Sequence, residues 1–394
     1  MEDNKLKNHI LKKLVAGALA VMMTFSLGAC ASEKKEEKKL PVSEAPAYQV
    51  NLDAISPAAY NNVDGLSLEP GTYISIIGRN SGDAYWSTLE SGIKQATDDI
   101  NAMLGYKGND KIKVTYNAPS DSTDIDEQVN ILDEELARYP DVIGFASVDA
   151  DACTVQFDLA TENDIPIVAF DSANNYDGIL CVVKTDNYAA ASTVATNLST
   201  AIKDSGAVMI LANDSLSASS VDRVRGFTEE LQANHPNVPV VETLYKDKMD
   251  EMKETIATEK NTDLAEGATE TNAADLSDED VIQYYLEKHP EVKAIYTTNA
   301  ATSQLAISAC KQMNRMSSTT IVGFDAGKTQ LDSLKNGELS GLLVQNPFGM
   351  GYATVVACAR TVLEQGNEAV VSTGYTWVTQ ENVDDESIAN MLYE

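Results

Sequence analysis

The chain has 394 residues, with 60 acidic side chains against 29 Lys and Arg, a formal net charge of −31, and only three histidines. That balance argues against nucleic acid as a partner, because phosphate binding rests on clustered Lys and Arg, and the scattered histidines leave little material for a His-rich metal centre. The length exceeds what one compact core usually holds, so two lobes are expected.

In chain order, the first feature is a basic stretch (Lys5, Lys7, Lys12, Lys13) followed by an apolar run from Leu14 to Leu27. The run is shorter than the roughly 20 apolar residues of a membrane-spanning helix. It therefore reads as the core of a signal peptide, residues 1–30, to be set aside before any fold reasoning. The run ends in Leu27, Gly28, Ala29 and Cys30, which resembles the lipobox of bacterial lipoproteins. That resemblance implies lipidation of Cys30, and so a chain held at the outer face of the cytoplasmic membrane, or in the periplasm where an outer membrane exists. Residues 31–69 are expected to be a tether and leader, since the stretch ASEKKEEKKLPVSEAPA is charged and poor in large apolar residues and cannot bury enough surface to offset the entropy of ordering.

From Tyr73 short apolar runs alternate with longer helical patterns, the signature of a parallel sheet covered by helices. Strands are expected at 73–77, 112–116, 142–146, 167–170 and 178–183. Helices are expected at 86–104, where Leu89, Ile93, Ala96, Ile100 and Leu104 form one buried face, and at 125–139. The rhythm restarts after Asp186 with helices at 188–203, 220–233, 280–288 and 301–313 and strands at 207–211, 240–245, 294–297 and 320–324. The fold class is thus α/β, two doubly wound parallel-sheet lobes joined by several chain crossings. The expected N-terminal lobe takes residues 70–185 plus about 346–373, and the C-terminal lobe 186–345 plus about 374–394. A stretch of about 253–277, almost free of large apolar residues, reads as an acidic surface insertion. Cys153, Cys181, Cys310 and Cys358 show no C-x-x-C spacing, so zinc is not indicated; their apolar surroundings favour buried free thiols over pairing.

In open α/β sheets ligands bind outside the carboxyl ends of the strands. The residues there are Asp83, Tyr85 and Trp86, then Asp171 and Ser172, then Arg223, Asn299, Asp325 and Gln345. Aromatic faces beside planar hydrogen-bonding groups suit a sugar, which offers an apolar C–H face and a rim of hydroxyls.

Here the chain resembles the type I periplasmic binding proteins, within them the ribose- and galactose-binding group, over about residues 70–380. Gly82, Asp83, Ala84, Tyr85 and Trp86 match the position where the family carries Asn or Asp followed by aromatics that sandwich a sugar. Ile167 to Asp171 matches the strand ending in a ligand-binding Asp, and Arg223 with Gly226 and Phe227 matches the helix whose Arg forks onto sugar oxygens. Thr298 and Asn299, Val322 to Asp325, and Gln345 match three later landmarks. Two departures stand out: Ser172 where an Arg often follows the first-lobe Asp, and Ala146 where ribose binders have Asn.

The resemblance implies a non-enzymatic, monomeric solute-binding protein, needing no cofactor or metal, that closes on a monosaccharide or related sugar and passes it to an ABC permease with its ATPase. The alternative is a sugar-sensing lipoprotein that presents its ligand to a histidine kinase or chemoreceptor. A transcription regulator of the same fold would need a DNA-binding helix pair where the signal peptide stands. A glycosidase would need two carboxylates flanking one bond; Asp83, Asp171 and Asp325 supply carboxylates, but the order of motifs favours binding.

Overall fold

A computed structural model describes residues 46–262, 264, 268–389 and 391–393. The expected signal peptide, Cys30 and the first part of the tether lie outside the described residues. One sheet contains β1 (Tyr73–Ile77), β2 (Lys113–Asn117), β3 (Val142–Phe145), β4 (Ile167–Phe170), β5 (Val182–Lys184) and β11 (Val370–Ser372), in the spatial order β2-β1-β3-β4-β5-β11, all parallel. The other contains β6 (Ala207–Ala212), β7 (Val240–Tyr245), β8 (Val292–Thr297), β9 (Thr320–Phe324), β10 (Gly341–Gln345) and β12 (Tyr375–Val378), in the order β7-β6-β8-β9-β10-β12, with only the β10–β12 pair antiparallel. The α/β class with two doubly wound lobes is therefore the observed one. β1 and β6 have strands on both sides and helices above and below, so every residue in them is buried and they read as almost wholly apolar runs, with Ser75 in β1 donating to Glu135.

The helices that cover the sheets are α1 (Ala84–Leu104), α2 (Ile125–Leu136), α3 (Thr154–Glu162), α4 (Asn187–Ala201), α5 (Ala218–Asn234), α6 (Met249–Thr262), α7 (Asp278–Lys288), α8 (Ala300–Gln312), α9 (Lys328–Lys335) and α10 (Pro347–Val362). α1 buries Leu89, Ile93, Ala96 and Ile100 as its spacing predicts, leaves the expected Leu104 only half-buried at its end, and stops at Gly105, whose φ of 72° provides the left-handed cap. α2 stops at Leu136, short of the expected Tyr139; Tyr139 has a positive φ and precedes Pro140, where helix is disfavoured. The expected strand at 178–183 is shifted to Val182–Lys184 because only those residues pair with β4 and β11. α3 escaped the sequence reading for a physical reason: of its nine residues only Phe157 and Ala160 are buried, while Val155 and Leu159 are exposed, so it carries no readable apolar stripe.

Two further stretches differ from expectation. Within the expected leader, Leu52, Ile55, Tyr60, Val63, Leu66 and Leu68 are buried in the core, so the chain joins the folded body well before residue 69. Residues 253–262 of the acidic stretch belong to α6, whose buried Met249, Ile256 and Ala257 show that this half is a docked helix. Cys153, Cys181, Cys310 and Cys358 are buried free thiols.

The chain passes between the sheets after β5, after β10 and after β11. Asn346, fully buried, ties these passages together: its amide donates to the carbonyls of Asn51 and Thr373, and its oxygen accepts from Asn51. Thr373 N–H in turn donates to Lys184 O. α10 is buried nearly all round and lies against α1 at two glycines. A Cβ on Gly351 would strike the Leu89 carbonyl, and one on Gly92 the Phe348 carbonyl. Gly351→Val should therefore force the helices apart and cost about 3 kcal/mol, lowering the melting temperature by about 5 °C; an unchanged melting curve would contradict this packing. No helix among the described residues is long and apolar enough to cross a membrane.

Candidate functional site

In each lobe the first strand, β1 or β6, is flanked by the strands that follow it on opposite sides, which makes the carboxyl ends beside it a topological switch point and the place for a ligand crevice. The loops there converge on one polar cleft holding about 550 Å³ of space not filled by protein atoms, part of it open to solvent.

The first-lobe wall is built from the start of α1. Asp83 is its N-cap, one carboxylate oxygen accepting from Trp86 N–H at 2.9 Å, and this fixes Tyr85 and Trp86 in the first turn at the cleft. Tyr85 Oη donates to Asp171 Oδ1 at 2.7 Å. Trp86 stands edge-on to Phe170, and the Tyr85 and Trp86 rings are inclined at 81°. The two rings thus present separate faces and cannot sandwich a ligand between themselves. Asp171 follows β4 at a φ of 53°, a left-handed conformation that Asp tolerates better than most residues.

The second-lobe wall is held more tightly. Arg223 on α5 lies over the Phe324 ring at 4.2 Å, donates through Nε to Asn187 Oδ1 at 2.8 Å and through one terminal nitrogen to Thr298 O at 2.6 Å. Its neighbours Gly226 and Phe227 serve packing: Gly226 lets α5 touch the Tyr188 backbone, and Phe227 stacks on Tyr296. Asp325 follows β9 at a φ of 75°. Its Oδ1 accepts from Gln345 Nε2 at 2.8 Å and from Tyr393 Oη at 3.1 Å. Burial pushes the Asp325 carboxyl above the ordinary range, a shift that Arg223 and these two donors oppose. Asn299 caps α8 through its oxygen and donates through its nitrogen to Asn213 Oδ1 at 2.8 Å.

Of the nine residues singled out in the sequence, eight line this cleft: Asp83, Tyr85, Trp86, Asp171, Arg223, Asn299, Asp325 and Gln345. Ser172 is the exception. After the left-handed turn at Asp171 its side chain points to the lobe seam, where Oγ accepts from Ser219 N–H at 3.4 Å.

The sequence reading passed over Arg79 and Asp214, which also line the cleft and join the lobes across it. Arg79, two residues after β1, pairs with Asp214, two residues after β6, at 2.9 Å, and both side chains are buried. Burial pushes Asp214 up, but Arg79, Ser217 and Asn213 outweigh it and hold the carboxyl below the ordinary range. Inspecting every residue just past a strand end, rather than those in known landmarks, would have found both. Ala150 N–H to Leu216 O, at 3.2 Å, is a further contact across the seam. The lobes stand closed.

Fold and cleft together define a two-lobed solute-binding protein of the clamshell kind, in which one site is shared between the strand ends of both lobes. The chain belongs to the periplasmic binding protein domain family, whose model matches residues 74–366; these are binding rather than catalytic proteins. The D-ribose/D-allose-binding protein of Pseudomonas aeruginosa is 22% identical over 78% of this chain and 88% of its own length. A carbohydrate transporter solute-binding protein from Agrobacterium radiobacter, solved with D-arabinose, is 24% identical with a TM-score of 0.66, covering 82% of this chain and 98% of that one. An ABC transporter solute-binding protein from Agrobacterium vitis, bound to α-D-tagatopyranose, is 22% identical with a TM-score of 0.68, covering 82% and 99%.

Proposed function

We propose that the protein captures a monosaccharide or closely related sugar by lobe closure and delivers it to an ABC permease, while a lipid on Cys30 holds it at the outer face of the cytoplasmic membrane. The observation that carries this reading is the pairing, in one closed cleft, of two buried carboxylates with an Arg fork and two aromatic faces. Asp171 comes from one lobe and Asp325 from the other. Among the described residues, each carboxylate spends only Oδ1 on protein donors. The second oxygens are left as acceptors for ligand hydroxyls. The first-lobe aromatics offer C–H-binding faces, and Arg223 offers donors in a fixed plane. The relatives that carry sugars add support by analogy.

Closure follows from differential contact. A sugar held on Tyr85, Trp86 and Asp171 gains the second-lobe groups only when the lobes meet, so it shifts the population toward the closed form. A permease that recognises the closed shape then receives loaded protein. Direct passage of ligand requires no bond to be made or broken. Asp83, Tyr85, Trp86, Asp171, Arg223, Asn299, Asp325 and Gln345 are the proposed ligand contacts, with Ser172 acting at the seam instead.

A thermal-shift screen of the purified full chain against pentoses, hexoses, disaccharides and polyols tests the reading. A ligand at a hundred times its Kd should stabilise the folded state by about 2.7 kcal/mol and raise the melting temperature by about 5 °C. If no sugar or polyol stabilises the protein, the sugar reading is wrong.

A further inference from the structure

The penultimate residue of the sequence packs directly behind the site. Tyr393 is 3% exposed. Its Oη donates to Asp325 Oδ1 at 3.1 Å, and its ring meets that of Tyr85 edge-on, centroids 5.9 Å apart. Tyr85 in turn donates to Asp171. A continuous line of contacts, Asp171 to Tyr85 to Tyr393 to Asp325, therefore joins the two acidic residues of opposite lobes. Tyr393 itself is not part of the cleft lining; it stands behind two residues that are. The tail is held in place before it arrives: Met391 is buried, its N–H donates to Ile388 O at 2.8 Å, and its sulfur accepts from Thr376 on β12.

The consequence for Asp325 is geometric. Tyr393 and Gln345 both donate to the same oxygen, which fixes the carboxylate plane and reserves Oδ2 for the cleft. With the Tyr393 donor removed, Gln345 alone restrains the carboxylate, whose terminal torsion is broad and roughly twofold. Burial and the neighbouring Asp325 raise the Tyr393 phenol well above its ordinary range, so it remains a proton donor throughout the physiological range.

We propose that Tyr393 is a positioning residue of the binding site: the C-terminal phenol orients Asp325 so that its free oxygen accepts a sugar hydroxyl, and it does so only through that carboxylate. This rests on the sugar-binding reading of the cleft.

Tyr393→Phe keeps the ring and its packing while deleting the donor. With D-ribose, D-arabinose, D-galactose, D-glucose and D-tagatose as probes, calorimetric titration of the full chain should show the best-bound sugar weakened about tenfold, as expected for one hydrogen bond to a charged group. In an Asp325→Asn background the same change should alter affinity less than twofold, because the second carboxylate oxygen that Tyr393 holds ready for the ligand is no longer there. A residue that merely supports the fold would produce the same loss in both backgrounds. Equal losses in the two backgrounds, or wild-type affinity in the single variant, overturn the proposal. If neither these probes nor any sugar or polyol of the thermal-shift screen binds the wild-type protein, the sugar reading fails and this proposal falls with it. If the wild type binds and the Phe variant matches it, only the role of Tyr393 is lost.

Discussion

Replacing Asp325 by Asn weakens binding of the sugar that stabilises the wild-type protein by about 100-fold, with little change in the unliganded melting temperature. The backbone makes Asn the suitable replacement. At a φ of 75° Asn is among the few residues that sit without much strain, whereas Ala would add a conformational cost of about 1–2 kcal/mol unrelated to the ligand. The carboxylate is buried, so its remaining oxygen meets a ligand hydroxyl away from bulk water. A hydrogen bond to a charged group contributes about 1.5–3 kcal/mol, which is roughly 10- to 150-fold in Kd. Arg223→Lys should cost a similar factor although the charge is kept, because an ammonium cannot hold the planar contacts to Asn187, Thr298 and the Phe324 ring at once. Titration calorimetry measures both. Affinity within threefold of wild type in either variant removes that residue from the site.

Replacing Arg79 by Ala opens the lobes. Breaking a buried ion pair by removing one partner costs about 3–5 kcal/mol when the surviving charge is left without water. Here the survivor, Asp214, belongs to the opposite lobe and can escape by moving into solvent, provided the lobes part. The loss therefore falls on the closed arrangement rather than on the fold. Ligand affinity should drop by at least tenfold, the radius of gyration from X-ray scattering should rise, and the melting temperature of the free protein should hardly move. The double variant Arg79→Ala with Asp214→Asn should recover part of the affinity, because no charge is then stranded. A pH dependence accompanies the pair. The Asp214 carboxyl is held below its unfolded value, so the stabilisation is complete above the unfolded range and is lost as pH falls through the lowered folded value. A variant that stays closed in scattering and binds as tightly as wild type would show that Arg79 and Asp214 merely touch.

The departures from the family pattern gain meaning beside this pair. Ser172 occupies a position where an Arg often stands, and Ala146 one where ribose binders have Asn. Ala146 is buried and its carbonyl accepts from Gln128, so it contributes no side-chain hydrogen bond. The first-lobe wall does carry a cation, Arg79, which follows β1, the strand next to β3. The cleft wall thus lacks those two planar groups and carries a cation tied to the other lobe.

The alternation of strands with amphipathic helices was legible from the sequence because burial on one face imposes a period, and β1, β4, β7 and β9 begin and end at the residues expected. The residues just past those strands were legible too, because a doubly wound sheet sends its ligand to the strand ends. What tertiary structure alone decided has no period to reveal it. α3 and α10 lack an apolar stripe, one being half exposed and the other buried on nearly every side. Arg79 meets Asp214 across 135 positions of sequence, and Tyr393 meets Asp325 from a tail with no local signal. Side-chain direction after a left-handed residue separated Ser172 from Asp171. Local sequence sets which groups stand at each strand end; only the packing of one lobe on the other sets which of them share a cleft, because those contacts join residues that no local pattern relates.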